Sequence, residues 1–310
     1  MTEEKNILEI TNLKKHFGEK KVLQGVDLKI PEKKVFGFVG KNGAGKTTTM
    51  KCILGLLEAD EGEILVNGEK VTYGDTKTNR FIGYLPDVPE YYSYMNPKEY
   101  LSFCGEITGM EKKTIKSRSE ELLELVGLGG EKHRIKGFSR GMKQRLGIAQ
   151  ALLNSPRLLI CDEPTSALDP VGRKEILDIL VAAKNETTIL FSTHILSDVE
   201  HICDEMALLH AGKIIMQGSI TEVKEKRRGN TLELQLENPE ENAMLLNRFT
   251  KVTDMSEPAI ESTGSNTLLI KDELMVPDIL RFLADRNIRF IKMEKQEATL
   301  EDIFIEAIQN

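Results

Sequence analysis

Tryptophan is absent from this chain and cysteine is scarce, which restricts the sites that it can form. Without tryptophan, any aromatic contact to a ligand must come from Phe, Tyr or His. The four cysteines are scattered and include no CxxC pair: Cys52, Cys104, Cys161 and Cys203. This spacing argues against a disulfide framework or a zinc site, and it predicts reduced thiols in a cytosolic protein.

Long apolar runs are missing too. No stretch approaches the ~20 residues of a membrane span, and residues 1–5 lack the apolar segment of a signal peptide. We therefore expect a chain that does not itself cross a bilayer. Its 310 residues, 40% hydrophobic and 29% charged, suit a globular protein with one large and one smaller domain.

Positive charge is scarce near the C-terminus. Positions 231–310 carry 8 basic and 16 acidic side chains, a net charge of −8, whereas the rest of the chain has 34 basic and 33 acidic side chains, a net charge of +1. Because the phosphate backbone repels acidic surfaces, we expect no nucleic acid as the main partner.

The strongest motif is an octapeptide that fits the phosphate-binding pattern GxxxxGK[ST]: Gly40, Lys41, Asn42, Gly43, Ala44, Gly45, Lys46 and Thr47. Glycines let backbone N–H groups approach phosphate oxygens. Lys46 can reach the β- and γ-phosphates, and the Thr47 hydroxyl can bind Mg²⁺. An apolar run at 35–39 precedes the loop and a helical pattern follows it, so strand, loop and helix favour a nucleotide site over an ordinary glycine-rich turn.

Two strands predicted further along end in polar residues. Asp162 and Glu163 follow the apolar run 158–161, and His194 follows the β-branched run 187–193. Ligands bind at the carboxyl ends of strands in open α/β sheets. There Asp162 can hold Mg²⁺ directly or through water, Glu163 can polarise an attacking water, and His194 can donate to a γ-phosphate. Two adjacent solvated carboxylates and a satisfied histidine are the alternatives.

Two further positions have a structural and a functional interpretation. Phe17 precedes the phosphate loop by about twenty residues, so its ring either stacks on adenine or belongs to the core at a hairpin. Ser139 is a natural N-cap for the helix that follows, and with Gly141 nearby this helix start either binds an anion or is simply a capped helix.

Together these motifs resemble the nucleotide-binding subunit of an ATP-binding cassette (ABC) transporter over about residues 5–225. The octapeptide matches the Walker A loop, residues 158–162 match Walker B, and 166–169 match the D-loop. The resemblance implies a P-loop α/β cassette with a mixed sheet that binds ATP and Mg²⁺. It further implies phosphate contact at Thr48, catalysis by Glu163, a switch role for His194, and adenine stacking on Phe17.

The resemblance also implies a head-to-tail dimer, as a homodimer or with a paired ABC subunit. Ser139 and Gly141 stand at the signature motif, which in this family caps the γ-phosphate held by the partner subunit. Two residues depart from the usual Ser-Gly-Gly-Gln, since Arg140 replaces a glycine and Met142 replaces glutamine. A third departure is Asp87, which stands at a Mg²⁺-linked position that is usually Gln and sometimes Glu.

The pattern divides the chain into an ABC ATPase domain, 1–225, and a small α+β domain, 226–310. A helical subdomain is expected at about 88–156, and the charged run 224–230 marks the boundary. That run is either a solvated linker or a contact for anionic lipids. The order of elements after it predicts a split βαβ domain, which resembles the C-terminal extension of drug- and antibiotic-exporter ABC ATPases.

The sequence therefore favours the ATP-hydrolysing subunit of an ABC exporter. The resemblance implies a separate transmembrane permease that holds the subunit on the cytoplasmic face of the cell membrane and selects the transported substrate. One alternative is a soluble ABC ATPase that acts on ribosomes or nucleic acid, although a lone cassette with an acidic tail disfavours it. Another is a module that binds ATP without hydrolysis, which Glu163 and His194 argue against.

Overall fold

The computed structural model describes residues 5–75, 77–226, 232–250, 259–295 and 299–309. The chain divides into an N-terminal unit, Met1–Ile220, and a C-terminal unit, Thr221–Asn310. Of the charged run 224–230, positions 227–230 lie outside the described residues.

The first half of the N-terminal unit is mainly β-structure. It contains β1 (Asn6–Phe17), β2 (Lys20–Pro31), β3 (Val35–Val39), α1 (Lys46–Ile53), β4 (Glu61–Val66), β5 (Glu69–Lys70) and β6 (Ile82–Leu85). The second half is mixed and contains α2 (Pro97–Ile107), α3 (Lys112–Leu125), α4 (Arg140–Leu152), β7 (Leu158–Asp162), α5 (Pro170–Ala183), β8 (Thr188–Thr193), α6 (Leu196–Ile202), β9 (Glu205–His210) and β10 (Lys213–Ser219).

These strands form two sheets. The first is antiparallel, in the order β2-β1-β4-β5, and the second has six strands in the order β10-β9-β3-β8-β7-β6. In the second sheet β9, β3, β8, β7 and β6 are parallel, and β10 is antiparallel to β9. The predicted mixed sheet is therefore confirmed, and the carboxyl ends of β3, β7 and β8 share one edge.

The central strands are apolar because both of their faces are covered. Every residue of β3, β7 and β8 is buried. Side chains from both sheets and α1 meet in one hydrophobic cluster, which includes Ile10, Phe36, Phe38, Met50, Ile160 and Leu190. This packing fixes the strand ends from which the loops of the site emerge.

Three helices follow one another between β6 and β7. Asn96 caps α2 by accepting a hydrogen bond from Glu99 N at 3.0 Å, and Asn96 N donates in turn to Glu99 Oε2 at 2.9 Å. Pro97 occupies the first turn. Ser139 caps α4 by accepting from Met142 N at 3.2 Å, as its position predicts.

A 3₁₀ helix, Lys77–Phe81, precedes β6, which begins at Ile82. At its start the Asp75 carboxylate accepts a hydrogen bond from Lys77 N at 3.0 Å.

Helix α7 (Ile220–Lys226) precedes the folded part of the C-terminal unit. That part contains β11 (Leu232–Leu236), α8 (Pro239–Phe249), β12 (Ile260–Ser262), β13 (Thr267–Ile270), α9 (Val276–Asp285), β14 (Phe290–Lys295) and α10 (Leu300–Gln309). The sheet is fully antiparallel, in the order β12-β13-β11-β14. This is the strand order of the predicted split βαβ fold, and the unit has its own hydrophobic cluster.

Within the described ranges, the helices are too short or too polar to cross a membrane.

The stability of the N-terminal unit should depend on its buried parallel strands. Leu190 is 0% exposed in β8, so we expect Leu190→Ala to lower the free energy of unfolding by about 2–5 kcal/mol. The matched control is Val171→Ala, which truncates a side chain that is 67% exposed and should change stability by at most about 0.5 kcal/mol. Urea unfolding followed by circular dichroism measures both, and equal midpoints would contradict the expectation.

Candidate active site

A pocket of about 590 Å³ lies where the loops leave the carboxyl edge of the six-stranded sheet. Its predicted lining residues are Phe17, Asn42, Gly43, Gly45, Lys46, Thr47, Thr48, Asp87, Asp162, Glu163 and His194, and it is also lined by Lys20, Val22 and Ser166. The predicted residues outside the lining are Gly40, Lys41, Ala44, Ser139 and Gly141. Motifs that are far apart in sequence therefore converge on one cavity.

The positions at the two ends of the phosphate loop require glycine, Gly40 because a side chain would clash and Gly45 because of its backbone conformation. A Cβ on Gly40 would lie 2.6 Å from the Leu209 carbonyl oxygen, and Gly45 has a φ of +116° at the N-cap of α1. Glycine alone adopts such a backbone without strain. The N-terminal turn of α1 thereby lines the pocket with Lys46, Thr47 and Thr48, where helix N–H groups favour an anion.

Lys46 is buried at the floor of this loop, with its side chain 5% exposed. Its Nζ donates to the Gly40 carbonyl at 2.6 Å and reaches the Lys41 carbonyl at 3.4 Å. The same ammonium lies 3.1 Å from Glu163 Oε1. That oxygen is buried and accepts no hydrogen bond, so the contact with Lys46 is an ion pair whose angle is poor for hydrogen bonding.

Asp162 ends β7 and is 3% exposed. Its two carboxylate oxygens accept hydrogen bonds from hydroxyl groups, Thr47 Oγ1 at 2.8 Å and Ser192 Oγ at 2.6 Å. Both donors are neutral, so neither hydrogen bond brings a positive charge to the carboxylate. Burial, followed by the negative charge of Asp162, raises the pKa of neighbouring Tyr84 to about 12. This edge of the pocket therefore favours a cation.

Glu163 follows Asp162 in a left-handed conformation, with a φ of +48°. This backbone is uncommon for a residue other than glycine, and it is held because Glu163 N donates to the Ser192 carbonyl at 3.1 Å. The side chain bridges two basic groups, since Oε2 lies 2.8 Å from His194 Nδ1 and Oε1 faces Lys46. A carboxylate only accepts, so this hydrogen bond requires a proton on Nδ1 of His194.

The ring of Phe17 is at the rim of the pocket and is 51% exposed. It ends β1 at the turn before Lys20, and Lys15 Nζ lies 5.6 Å from the ring centroid. The core interpretation of Phe17 is therefore wrong, and a face of the ring is accessible from solvent.

Asp87 also lines the pocket, directly after β6. Its Oδ1 accepts a hydrogen bond from Arg140 Nη2 at 3.1 Å, and its carbonyl accepts one from Gln144 Nε2 at 2.7 Å. The pKa of Asp87 is raised, chiefly by burial; Arg140 lowers it, and the charges of Asp162 and Glu163 raise it. The carboxylate therefore faces both a basic and an acidic neighbourhood.

Ser139 and Gly141 are both at the start of α4, outside the pocket lining of their own subunit. A Cβ on Gly141 would meet Leu168 only, at 3.9 Å. Packing within the subunit therefore does not require glycine at this position.

Lys20, Val22, Ser166 and Ser192 were not predicted as site residues. Lys20 and Val22 follow Phe17 closely in sequence, and this proximity is the feature of the sequence that could have identified them as pocket residues. Ser192 pairs with Asp162 across the parallel strands β7 and β8, a register that cannot be read from one sequence.

Comparison with known protein families finds matches in two parts of the chain. Residues 23–166 match the ABC transporter family, and residues 218–308 match the family described as ATP-binding protein DrrA1-3-like, C-terminal domain.

Similar proteins are found among both sequences and structures. The bacitracin transport ATP-binding protein BcrA of Bacillus licheniformis is 34% identical, over 97% of each chain. The lantibiotic transport ATP-binding protein SrtF of Streptococcus pyogenes is 42% identical, over 68% of this chain and 90% of its own. The solved structure of CbiO1 from Clostridium perfringens, part of the ABC transporter complex CbiONQ, is 27% identical, covers 79% of this chain and 97% of its own, and superposes with a TM-score of 0.67.

The phosphate loop, the acidic end of β7 and the histidine after β8 thus occur in a chain that aligns with BcrA over 97% of its length and with SrtF over 68%. The chain belongs to the ABC transporter family, as one of the ATP-binding proteins that hydrolyse ATP to power transport.

Proposed function

We propose that this chain is the ATP-hydrolysing subunit of an exporter and drives a separate membrane permease. The observation that carries this proposal is the position of Glu163, which lies between Lys46 at 3.1 Å and His194 at 2.8 Å in one pocket. Relatives named for bacitracin and lantibiotic transport support it.

In this proposal the nucleotide lies along the pocket from Phe17 to Glu163. Adenine stacks on the exposed Phe17 ring, and the triphosphate contacts the loop residues Gly40, Lys41, Asn42, Gly43, Ala44, Gly45, Lys46, Thr47 and Thr48. Phosphate oxygens compete with Glu163 for the ammonium of Lys46. Binding thereby releases the Glu163 carboxylate for a water molecule.

The oxygen donors of the pocket fit Mg²⁺, which prefers carboxylate, hydroxyl and phosphate ligands. Asp162 is buried against neutral hydroxyls, with Thr47 beside it, and Asp87 faces the same cavity. Among the described residues no group of three or more acidic, His or Cys side chains could hold a metal, so the triphosphate would complete the ligand set. When bound, the cation would neutralise charge on the transferred phosphoryl group.

Glu163 acts as the group that orients and polarises the attacking water. The Nδ1 atom of His194 donates its hydrogen bond to Glu163. A second hydrogen bond from Nε2 to the terminal phosphate therefore requires protons on both ring nitrogens. Carboxylate and imidazole thus operate as one hydrogen-bonded pair at the phosphate end of the pocket.

Closure of the site requires a second subunit in this proposal. Ser139 and Gly141 are outside the pocket of their own chain, and the open space at Gly141 suits a close approach by phosphate. A homodimer or a paired ABC subunit would bring this helix N-terminus to the nucleotide of its partner.

We further propose that residues 1–225 work as the ATPase domain and that 226–310 form an accessory domain. The subunit would be held at the cytoplasmic face of the membrane by its permease, and nucleic acid would not be a partner. Co-purification with the permease from detergent-solubilised membranes, after nuclease treatment, tests this placement.

The role of Glu163 is tested by Glu163→Gln. We expect this variant to bind ATP, to lose about 10²–10⁴-fold in turnover and to accumulate as a dimer, because the water loses its base while the phosphate contacts remain. Phosphate release and sedimentation velocity measure these effects. The matched control is Glu175→Gln, which makes the same change on α5 at a side chain that is 49% exposed and outside the pocket lining. A monomeric Glu163→Gln with normal turnover would contradict the proposal.

The role of Phe17 is tested by separating affinity from stability. Loss of a base-stacking ring costs about 1–3 kcal/mol, so we expect Phe17→Ala to weaken ATP binding by about 5- to 150-fold. Because the ring is 51% exposed, the unfolding midpoint should stay the same, and Phe17→Tyr should retain affinity. Reduced stability with unchanged affinity would contradict the stacking role. Equilibrium binding of a fluorescent ATP analogue provides the measurement.

A further inference from the structure

Two residues that depart from the family pattern contact each other. Asp87 stands where glutamine is usual, and Arg140 stands where glycine is usual in the signature motif. Their side chains form an ion pair, with Arg140 Nη2 at 3.1 Å from Asp87 Oδ1. Each substitution alone would leave an unusual charge, whereas together they neutralise each other.

The pair belongs to a larger contact between the Asp87 segment and the start of α4. Gln144 Nε2 donates to the Asp87 carbonyl at 2.7 Å, and Tyr91 Oη donates to the Lys143 carbonyl at 2.5 Å. One of these contacts is made by Gln144, which is 0% exposed. Both contacts hold the Asp87 segment against α4 independently of the ion pair between Asp87 and Arg140.

The ion pair between Asp87 and Arg140 is weak enough for either side chain to change partner. It consists of one N–O contact and not a bidentate one, and the two side chains are 42% and 47% exposed. Such exposed pairs contribute little to stability. Asp87 lines the nucleotide pocket, whereas Arg140 does not. The carboxylate therefore has access to a cation in the pocket, and the guanidinium has access to solvent at the N-terminus of α4.

We propose that Asp87 and Arg140 are a switch between the two nucleotide sites of the dimer. In the nucleotide-free subunit Arg140 neutralises Asp87. When Mg²⁺ arrives with ATP, it competes for the Asp87 carboxylate and releases the Arg140 guanidinium to bind phosphate held by the partner subunit. The inference rests on the proposed function, since it requires Mg²⁺ in the pocket and a head-to-tail dimer.

Charge favours the exchange at this position. Asp87 lines the same pocket as Asp162 and Glu163, so its carboxylate adds negative charge there, and Arg140 lies within ion-pair distance of it. A neutral glutamine would need no counter-ion before Mg²⁺ enters. The carboxylate of an aspartate does need a counter-ion, and Arg140 supplies it. Arg140 lies at the start of α4, which in the proposed dimer faces the nucleotide of the partner subunit.

The test measures Mg²⁺ dependence and dimerisation without turnover. The parent is the full chain with Glu163→Gln, and the variants add Arg140→Gln, Asp87→Asn or both. A fluorescent ATP analogue is titrated at increasing Mg²⁺, and sedimentation velocity follows the dimer. The matched control is Arg80→Gln, which breaks another exposed pair, Arg80 with Glu69, outside the pocket.

We expect Arg140→Gln to lower the half-saturating Mg²⁺ concentration by about two- to fivefold, the range of an exposed ion pair. The same variant should weaken ATP-induced dimerisation, because the released guanidinium is missing. With Asp87→Asn already present, Arg140→Gln should no longer change the Mg²⁺ requirement but should still weaken the dimer. Arg140→Lys keeps the charge and should behave like the parent.

Two results would overturn the switch. One is an Arg140→Gln variant with the same Mg²⁺ requirement as Arg80→Gln, and the other is an equal effect of Arg140→Gln with and without Asp87→Asn. A parent protein whose nucleotide binding does not depend on Mg²⁺ at all would instead overturn the proposed function, and the switch with it.

Discussion

The ion pair between Lys46 and Glu163 is the contact on which the pocket depends. Both side chains are largely buried, and a buried charge without a partner costs several kcal/mol. Each therefore neutralises the charge of the other, while the Gly40 carbonyl accepts a hydrogen bond from Lys46 and His194 contacts Glu163. In the proposed function a triphosphate replaces Glu163 as the partner of Lys46, and the same event frees the Glu163 carboxylate. Binding and activation would then be one exchange of charge partners.

The six-stranded sheet makes this exchange possible because it brings the partners to one edge. Lys46 follows β3, Glu163 follows β7 and His194 follows β8, and these three strands are parallel neighbours. In such a sheet all carboxyl ends point the same way, so chain segments more than a hundred residues apart meet within hydrogen-bonding distance. The apolar cores of the strands hold the geometry, and the polar residues just beyond them carry the chemistry.

Most of this site could be predicted from the sequence, because its residues lie in contiguous motifs. The loop around Lys46, the carboxylates after 158–161 and the histidine after 187–193 each follow an apolar strand. What could not be predicted depends on contacts across the fold. The Ser192–Asp162 hydrogen bond requires the register of two parallel strands, which one sequence does not reveal. The split βαβ order of the C-terminal unit was predictable from its element order.

The pairing of Asp87 with Arg140 is another contact across the fold that could not be predicted from the sequence. Each residue was visible in the sequence as a departure from the family pattern, and each taken alone looks unfavourable: a carboxylate near phosphate, and a bulky cation where glycine permits close approach. Placed 3.1 Å apart, they become one neutral unit joining the nucleotide pocket of a subunit to the helix that would serve its partner. Two departures from the family pattern that add opposite charges can therefore compensate each other through one contact, which a comparison position by position does not reveal.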